Sequence, residues 1–246
     1  MSLSVGVIGG GQLARMMIPA AIELGIEIQV LGESDEASAR AAVSMIGDAT
    51  DAAAVLEFAA GVDVVTFDHE HVPQPILREL IARGVQVRPG PDALLYAQDK
   101  LLMRERLGIL GLPVPDWARV SDAGELAAFL ADHDGRAVVK TPRGGYDGKG
   151  VRVVTSPDEV SDWLADGKGL LAEELVEFRR ELAQLVARRP SGEIAAWPLV
   201  ETVQRGGVCA EVFAPAPRAA GALSDMASDI AYRVAEGLGV TGVLAV

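Results

Sequence analysis

The sequence predicts an α/β protein: an N-terminal doubly wound parallel sheet, then a small α+β unit, then a C-terminal unit rich in antiparallel strands. Three observations carry this. Short apolar runs, LSVGVI (3–8), IEIQVLG (26–32) and VDVVTF (62–67), alternate with helical stretches of about a dozen residues, the rhythm of a parallel sheet with helices on its faces. A tight glycine turn, GGG (9–11), joins the first strand to the first helix. After residue 177 helices become scarce and strand-like stretches follow one another directly.

The first strand leads through the glycines into QLARMMIPAAIELG, and DAAAVLEFAAG supplies a second helix before VDVVTF. The block ends near VQVRPGPDAL, where two prolines and a glycine stop a strand. QDKLLMRERLGIL (98–110) reads as one amphipathic helix, and GLPVPDW as a rigid connector. In SDAGELAAFLADH, Ser121 is the expected N-cap, with Glu125 close behind. RAVVK, a glycine loop, VRVV, a further helix and GLLAEELV complete the middle unit. ELAQLVARR, a turn at PSGE, and IAAWPLVE then alternate as antiparallel strands. A helix at about 224–238 precedes VTGVLAV. The expected parts are 1–97, a linking helix and connector at 98–118, a small unit at 119–172, and a C-terminal unit at 173–246.

Composition narrows the function. The 246 residues are 50% hydrophobic and 4% aromatic, enough for a buried core. A formal charge of −13 repels nucleic-acid backbones but leaves room for a local positive pocket. Cys209 is the single cysteine, so no disulfide is expected and a reducing cytoplasm is the simple reading. Glu23 and Glu27 interrupt the longest apolar stretch, so no membrane span is expected.

Gly9-x-Gly11-x-x-Ala14 satisfies the dinucleotide-binding pattern, with Glu33 and Asp35 about twenty residues on. A nicotinamide cofactor, another phosphate ligand and a plain structural turn all remain open there. TPRGGYDGKG (141–150) follows Lys140, at a strand end, and sets Gly144, Gly145 and Gly148 before Lys149 and Gly150 directly after it. Bare amides flanked by cations suit phosphate oxygens. The stretch lacks the Ser or Thr that would follow the lysine of a P-loop, and a glycine-turn hairpin is the bland alternative. EELVEFRRE (173–181) is either a solvated strand end or a hinge whose backbone reads an adenine edge while Glu181 bonds ribose hydroxyls. FDHEH (67–71) follows a parallel strand, where ligands of doubly wound sheets bind. If it is extended, His69 and His71 share one face and Asp68 and Glu70 the other, which favours a substrate-contacting turn over a metal site. Lys100 by itself reads as a surface lysine.

Taken in order, these pieces resemble the ATP-grasp superfamily, and within it the N5-carboxyaminoimidazole ribonucleotide synthase family. GVIGGGQLARM, FDHEHV, AQDK, GGYDGKG, VVETVQRGG and GVTGVLAV carry the likeness across essentially the whole chain, GGYDGKG most specifically. It implies a pre-ATP-grasp parallel-sheet domain, an ATP-grasp lid and a C-terminal ATP-grasp domain, with ATP between the last two. Lys100 and Lys140 would bind its phosphates. Gly145, Tyr146, Asp147, Gly148, Lys149, Gly150 and Val151 would cover them, with Lys140 and Lys149 as the catalytic cations. Glu173, Glu174, Leu175 and Val176 would form the adenine hinge, Glu181 would hold the ribose, and Gln204 would lie near the nucleotide. Gly11, Gln12, Leu13, Glu70 and Tyr146 would hold aminoimidazole ribonucleotide.

The sequence departs from the family pattern at His71, usually Asn, at Gln204, often His, and at Gly206, commonly Asp. The family continues past VLAV to glutamates that hold magnesium and to a basic substrate-binding segment. The expectation is therefore an incomplete chain whose magnesium ligands lie beyond Val246 and which is inactive by itself. The implied reaction is carboxylation of aminoimidazole ribonucleotide with bicarbonate at the expense of ATP, in a cytoplasmic homodimer that binds neither nucleic acid nor membrane. The alternatives are a formate-dependent glycinamide ribonucleotide transformylase-like or biotin carboxylase-like ligase, a nicotinamide-dependent dehydrogenase, and a catalytically dead nucleotide-binding module.

Overall fold

A computed structural model describes residues 2–145 and 148–246. The chain divides into two compact units, residues 1–95 with 239–242, and residues 96–238 with 243–246.

The first unit contains β1 (Ser4–Ile8), α1 (Gln12–Leu24), β2 (Glu27–Gly32), β3 (Val43–Ile46), α2 (Ala52–Ala59), β4 (Val64–Phe67), α3 (Gln74–Ala82) and β5 (Gln86–Val87). The strands form one sheet in the order β3-β2-β1-β4-β5, and every pair is parallel. The doubly wound prediction holds. Alternation along β1 explains the two layers. Val7 packs with Ala14 of α1, Val30 and Ala39. Ile8 points the other way into Val55 and Phe58 of α2 and Leu77 and Leu80 of α3. The strand order reverses beside β1, so the turn after β1 and the FDHEH turn after β4 lie at the switch point where such sheets bind ligands.

Next come α4 (Pro91–Gln98) and α5 (Lys100–Ile109). The helix expected over 98–110 is α5, starting two residues later, and α4 before it was not expected. Asp99 leaves helical geometry, and its Oδ1 accepts the N–H groups of Leu101 and Leu102 at 3.1 and 3.2 Å. That cap starts α5 at Lys100. The second of the two prolines after β5, Pro91, opens α4, because proline is pre-set for the first helical turn.

The second unit continues with β6 (Trp117–Val120), α6 (Ala123–Asp132), β7 (Ala137–Lys140), β8 (Val151–Val154), α7 (Ser161–Leu164) and β9 (Leu170–Glu174). Its antiparallel sheet runs β6-β9-β7-β8. Val120, Ala137, Val139, Val154, Leu170 and Ala172 on one face close over Leu126, Phe129 and Leu130 of α6. The opposite face carries Lys140 and Glu173. Asp122, not Ser121, caps α6, its Oδ1 accepting Glu125 N–H at 2.9 Å. Glu125 reaches back to the Ser121 N–H at 2.6 Å, so the capping exchange is real but one residue later than expected.

The remaining elements are β10 (Glu181–Ala183), β11 (Leu185–Arg188), β12 (Ile194–Ala196), β13 (Val200–Arg205), β14 (Val208–Phe213), α8 (Ala222–Gly237) and β15 (Gly242–Ala245). They form sheets β10-β13-β14 and β12-β11-β15. IAAWPLVE is not one strand. Trp197 and Pro198 separate β12 from β13, since proline gives no N–H to a ladder. Among the described residues no helix is long and apolar enough to cross a membrane.

Replacing Asp122 with Ala is expected to lower the unfolding free energy by about 1 kcal/mol in urea denaturation, while Ser121→Ala changes it by less than about half of that.

Candidate functional site

The strongest concentration of chemistry lies in the second unit, around the loop between β7 and β8. Lys140 is the last residue of β7 and faces Val151, the first of β8, across an antiparallel ladder. Thr141 N–H donates to Gly150 O at 3.0 Å and closes the loop at its base. The loop is thus the turn of a β-hairpin. Two positions explain the glycines. Gly145 has φ +79°, and a Cβ there would lie 2.3 Å from Lys149 O. Gly150 has φ +73°, and a Cβ would lie 2.6 Å from Thr141 Oγ1. Side chains fit neither the backbone conformation nor the space. Gly148 and Lys149 are exposed at the tip. The sequence-predicted Tyr146 and Asp147 lie outside the described residues.

Lys100 comes to the same loop from the start of α5. Its backbone N–H donates to Pro142 O at 2.9 Å, and its Nζ donates to Gly144 O at 2.8 Å. The residue that read as a surface lysine is thus fixed beside the loop by the Asp99 break.

Glu173 sits on β9, next to β7, and is 2% exposed. Its Oε1 accepts from Arg104 Nε of α5, and its Oε2 pairs with Lys140 Nζ. Burial alone would push this carboxyl up. The hydrogen bonds and positive charges of Arg104 and Lys140 outweigh burial and hold it below the ordinary glutamate range. A lowered folded pKa means its contribution to stability is present at neutral pH and is lost only as pH falls through that lowered value. Arg104 was not among the residues singled out from sequence. The available signal was its place four residues after Lys100 on one helix face.

Beyond Glu174 the ladder ends, and residues 175–180 run without regular structure to β10. Leu175 is half-buried and Val176 exposed. Of the stretch expected as a hinge, Glu173 and Glu174 belong to the strand, so backbone free of the ladder begins at Leu175. Glu181 opens β10 opposite Thr202 of β13. Gln204, two residues along from Thr202, lies on the same face as Glu181 and is exposed.

The first glycine turn is different. Ala14 N–H, in the first turn of α1, donates to Asp68 Oδ1 at 2.7 Å. A Cβ on Gly11 would lie 2.0 Å from Asp68 Oδ2. Gly10 N–H points at Glu33 Oε2, 3.2 Å away. The anion-seeking end of α1 is filled by the protein's own carboxylates. Glu33, the acid spaced for a ribose in the dinucleotide reading, is instead bound to the turn. Gln12 reaches Ser38 Oγ at 3.0 Å, and Leu13 is 57% exposed.

In the FDHEH turn the rings of His69 and His71 lie 5.2 Å apart, as shared-face alternation predicts. His71 N–H donates to His69 Nδ1 at 3.2 Å. The acids are not both on the far side. Asp68 goes to α1, while Glu70 lies 4.0 Å from His71 Nε2, because β4 ends at Phe67 and the chain turns. Among the described residues no group of three or more His, Cys, Asp or Glu side chains is placed to hold a metal.

Comparison with known proteins shows the family. The model of the ATP-grasp domain matches residues 105–246, and that of the ribonucleotide synthetase preATP-grasp domain matches residues 2–98. The chain belongs to the ATP-grasp family. Within it, the likeness to N5-carboxyaminoimidazole ribonucleotide synthases read from the motifs is borne out by similar proteins of that name. That of Mycobacterium bovis is 50% identical over 98% of this chain and 58% of its own length. That of Corynebacterium ammoniagenes is 49% identical over 98% and 60%. The chain thus spans about three-fifths of these relatives. Among solved structures, the synthetase from Thermus thermophilus matches with a TM-score of 0.88 and 36% identity, over 98% of this chain and 66% of that one. The synthase from Aspergillus clavatus, in complex with ADP and 5-aminoimidazole ribonucleotide, matches with 0.87 and 30%, over 99% and 65%.

Asp68→Ala should destabilise the chain by roughly 1–2 kcal/mol in urea denaturation, because it strips the start of α1 of its acceptor.

Proposed function

We propose that this chain supplies the ribonucleotide-binding and ATP-binding parts of an ATP-dependent carbon–nitrogen ligase. The enzyme carboxylates 5-aminoimidazole ribonucleotide to N5-carboxyaminoimidazole ribonucleotide. The carrying observation is the loop 141–150, where positive-φ glycines leave backbone bare between Lys140 and Lys149, with Lys100 against its edge. The first glycine turn, already filled by Asp68 and Glu33, disfavours the dehydrogenase reading.

In this reading the parts are 1–97 for the ribonucleotide, 98–118 as linker, 119–172 as lid and 173–246 as the C-terminal ATP-grasp portion. Lys100 and Lys140 neutralise ATP phosphates, and the loop 145–151, with Lys149, closes over them. Leu175 and Val176 offer backbone to the adenine edge, and Glu181, with Gln204 on the same face, takes the ribose. Gly11, Gln12, Leu13, Glu70 and Tyr146 hold the ribonucleotide.

An oxygen of bicarbonate attacks the γ-phosphorus, and the bond to the β–γ bridging oxygen breaks, giving carboxyphosphate and ADP. The exocyclic amine then attacks the carboxyl carbon of carboxyphosphate, or of carbon dioxide released from it; phosphate leaves, and the amine gives up a proton. No nucleophilic side chain is required, and closure of the loop shields carboxyphosphate from water. ATP-grasp chemistry uses magnesium. Among the described residues no group of three or more His, Cys, Asp or Glu side chains is placed to cage it. A soluble, cytoplasmic, dimeric enzyme is the accompanying reading.

The deciding assay supplies aminoimidazole ribonucleotide and ATP with bicarbonate or with formate to the whole enzyme that contains this chain. ADP release with bicarbonate alone is expected, and release with formate alone would assign the formate-dependent ligase. Lys140→Ala should weaken ATP binding about tenfold or more, the loss of a charge-assisted contact, and an unchanged affinity removes the lid assignment. Glu70→Ala should raise the KM for the ribonucleotide well beyond that for ATP. Equal movement of both constants contradicts its place in the substrate turn.

A further inference from the structure

One nearly buried carboxylate, Glu173, holds two cations, one on each oxygen. Arg104 donates to Oε1 from α5. Lys140 sits on Oε2 from β7. The side chains of Arg104 and Lys140 are 16% and 24% exposed, so the lysine is the more open of the two. Lys140 ends its strand at the base of the glycine loop, whereas Arg104 lies inside a helix whose start is pinned by Asp99 and by the Lys100–Pro142 hydrogen bond.

We infer that Arg104 is a positioning residue for Lys140: by holding Glu173 on its own oxygen, it lets Lys140 leave that carboxylate for a phosphate. This rests on the reading that Lys140 meets ATP. A buried carboxylate stripped of its last cation is costly, so with Lys140 as sole partner the lysine stays where it is. With Arg104 in place the carboxylate remains paired when Lys140 moves. Arginine suits the task because it does not deprotonate in proteins. The two cations and one anion also leave a net positive charge at the loop base before any ligand arrives.

On α5, Arg104 faces Glu173, and Lys100 lies one turn earlier on Gly144 O. On β7 the partner is Lys140. β6 places Trp117 opposite Glu173, with Arg119 two residues along the same face. Glu174 alternates to the far face.

The test uses the chain with Arg104→Met and Arg104→Lys, titrated with ATP and, separately, with adenosine. Arg104→Met should lose about tenfold or more in ATP affinity and less than about twofold for adenosine, and Arg104→Lys should recover most of the loss. The deficit should depend on pH. With Arg104 gone, the Glu173 carboxyl lies higher than in the wild type, so lowering pH shifts it toward protonation and loosens its hold on Lys140 sooner than in the wild type. The ratio of wild-type to Arg104→Met affinity should therefore shrink toward acid. The titration of ATP itself is common to both proteins and cancels in that ratio.

A second measurement needs no nucleotide. Acetylation of Lys140 by acetic anhydride at pH 8, read by mass spectrometry, should be several-fold slower in Arg104→Met and normal in Arg104→Lys. Equal losses for ATP and adenosine, a deficit flat with pH, or unchanged Lys140 labelling would each overturn the assignment. If Lys140→Ala leaves ATP affinity untouched, it is the nucleotide reading that fails. The labelling comparison still decides whether Arg104 loosens Lys140 from Glu173.

Discussion

A single interior carboxylate organises the second unit. Glu173 lies on β9, between β6 and β7, and carries a negative charge where water does not reach it. Such a charge persists only if cations come to it, and here they come from two different elements, α5 and β7. The requirement ties the linking helix to the sheet and sets the position of Lys140, which in turn sets where the glycine loop begins. Asp99 acts one step further out. By breaking the helix it puts Lys100 at the edge of that loop, and its second oxygen holds Arg143 within the loop's first residues at 2.9 Å.

The chain contains two glycine turns with the look of an anion site, and they are physically opposite. After β1, the helix N-terminus and the turn amides are satisfied by Asp68 and Glu33, side chains of the same unit. Between β7 and β8, the exposed glycines at the tip stand with lysines at either end. The sequence pattern at 9–14 is the better-known fingerprint, yet a fingerprint of glycines reports only that backbone comes close to something. Whether that something is a ligand or a neighbouring carboxylate depends on residue 68, more than fifty positions away.

The same limit explains what was legible in the sequence. Strands of the first unit were readable because both faces of a doubly wound sheet are buried, so LSVGVI and VDVVTF are nearly unbroken apolar runs. The loop 141–150 was readable because four glycines and a lysine in ten residues, directly after Lys140, stand out between two runs of valine. Short-range competition was harder. Asp99 against a continuous helix, Asp122 against Ser121, and Pro198 inside an apparent strand are each decided by one side-chain bond or one missing N–H. Partners distant in sequence were hardest. Arg104 pairs with Glu173 and Asp68 caps α1; the spacing from Lys100 marks Arg104 itself, but no local spacing announces either partner. The histidine pair fell between these cases. Its shared face followed from alternation, whereas the approach of Glu70 to His71 followed from β4 stopping at Phe67.

The register Lys140–Val151 has a mechanical meaning. Both ends of the loop are stapled to neighbouring rungs of one ladder, and the Thr141–Gly150 bond adds a further rung. The base is therefore a rigid frame whose width is set by interstrand spacing rather than by the residues it encloses. Residues can be inserted at or deleted from the tip with little entropic consequence, and the strand-end ammonium group keeps its coordinates. Loop length and lysine placement become independent variables, so the loop can be lengthened or shortened without moving the cation at its base.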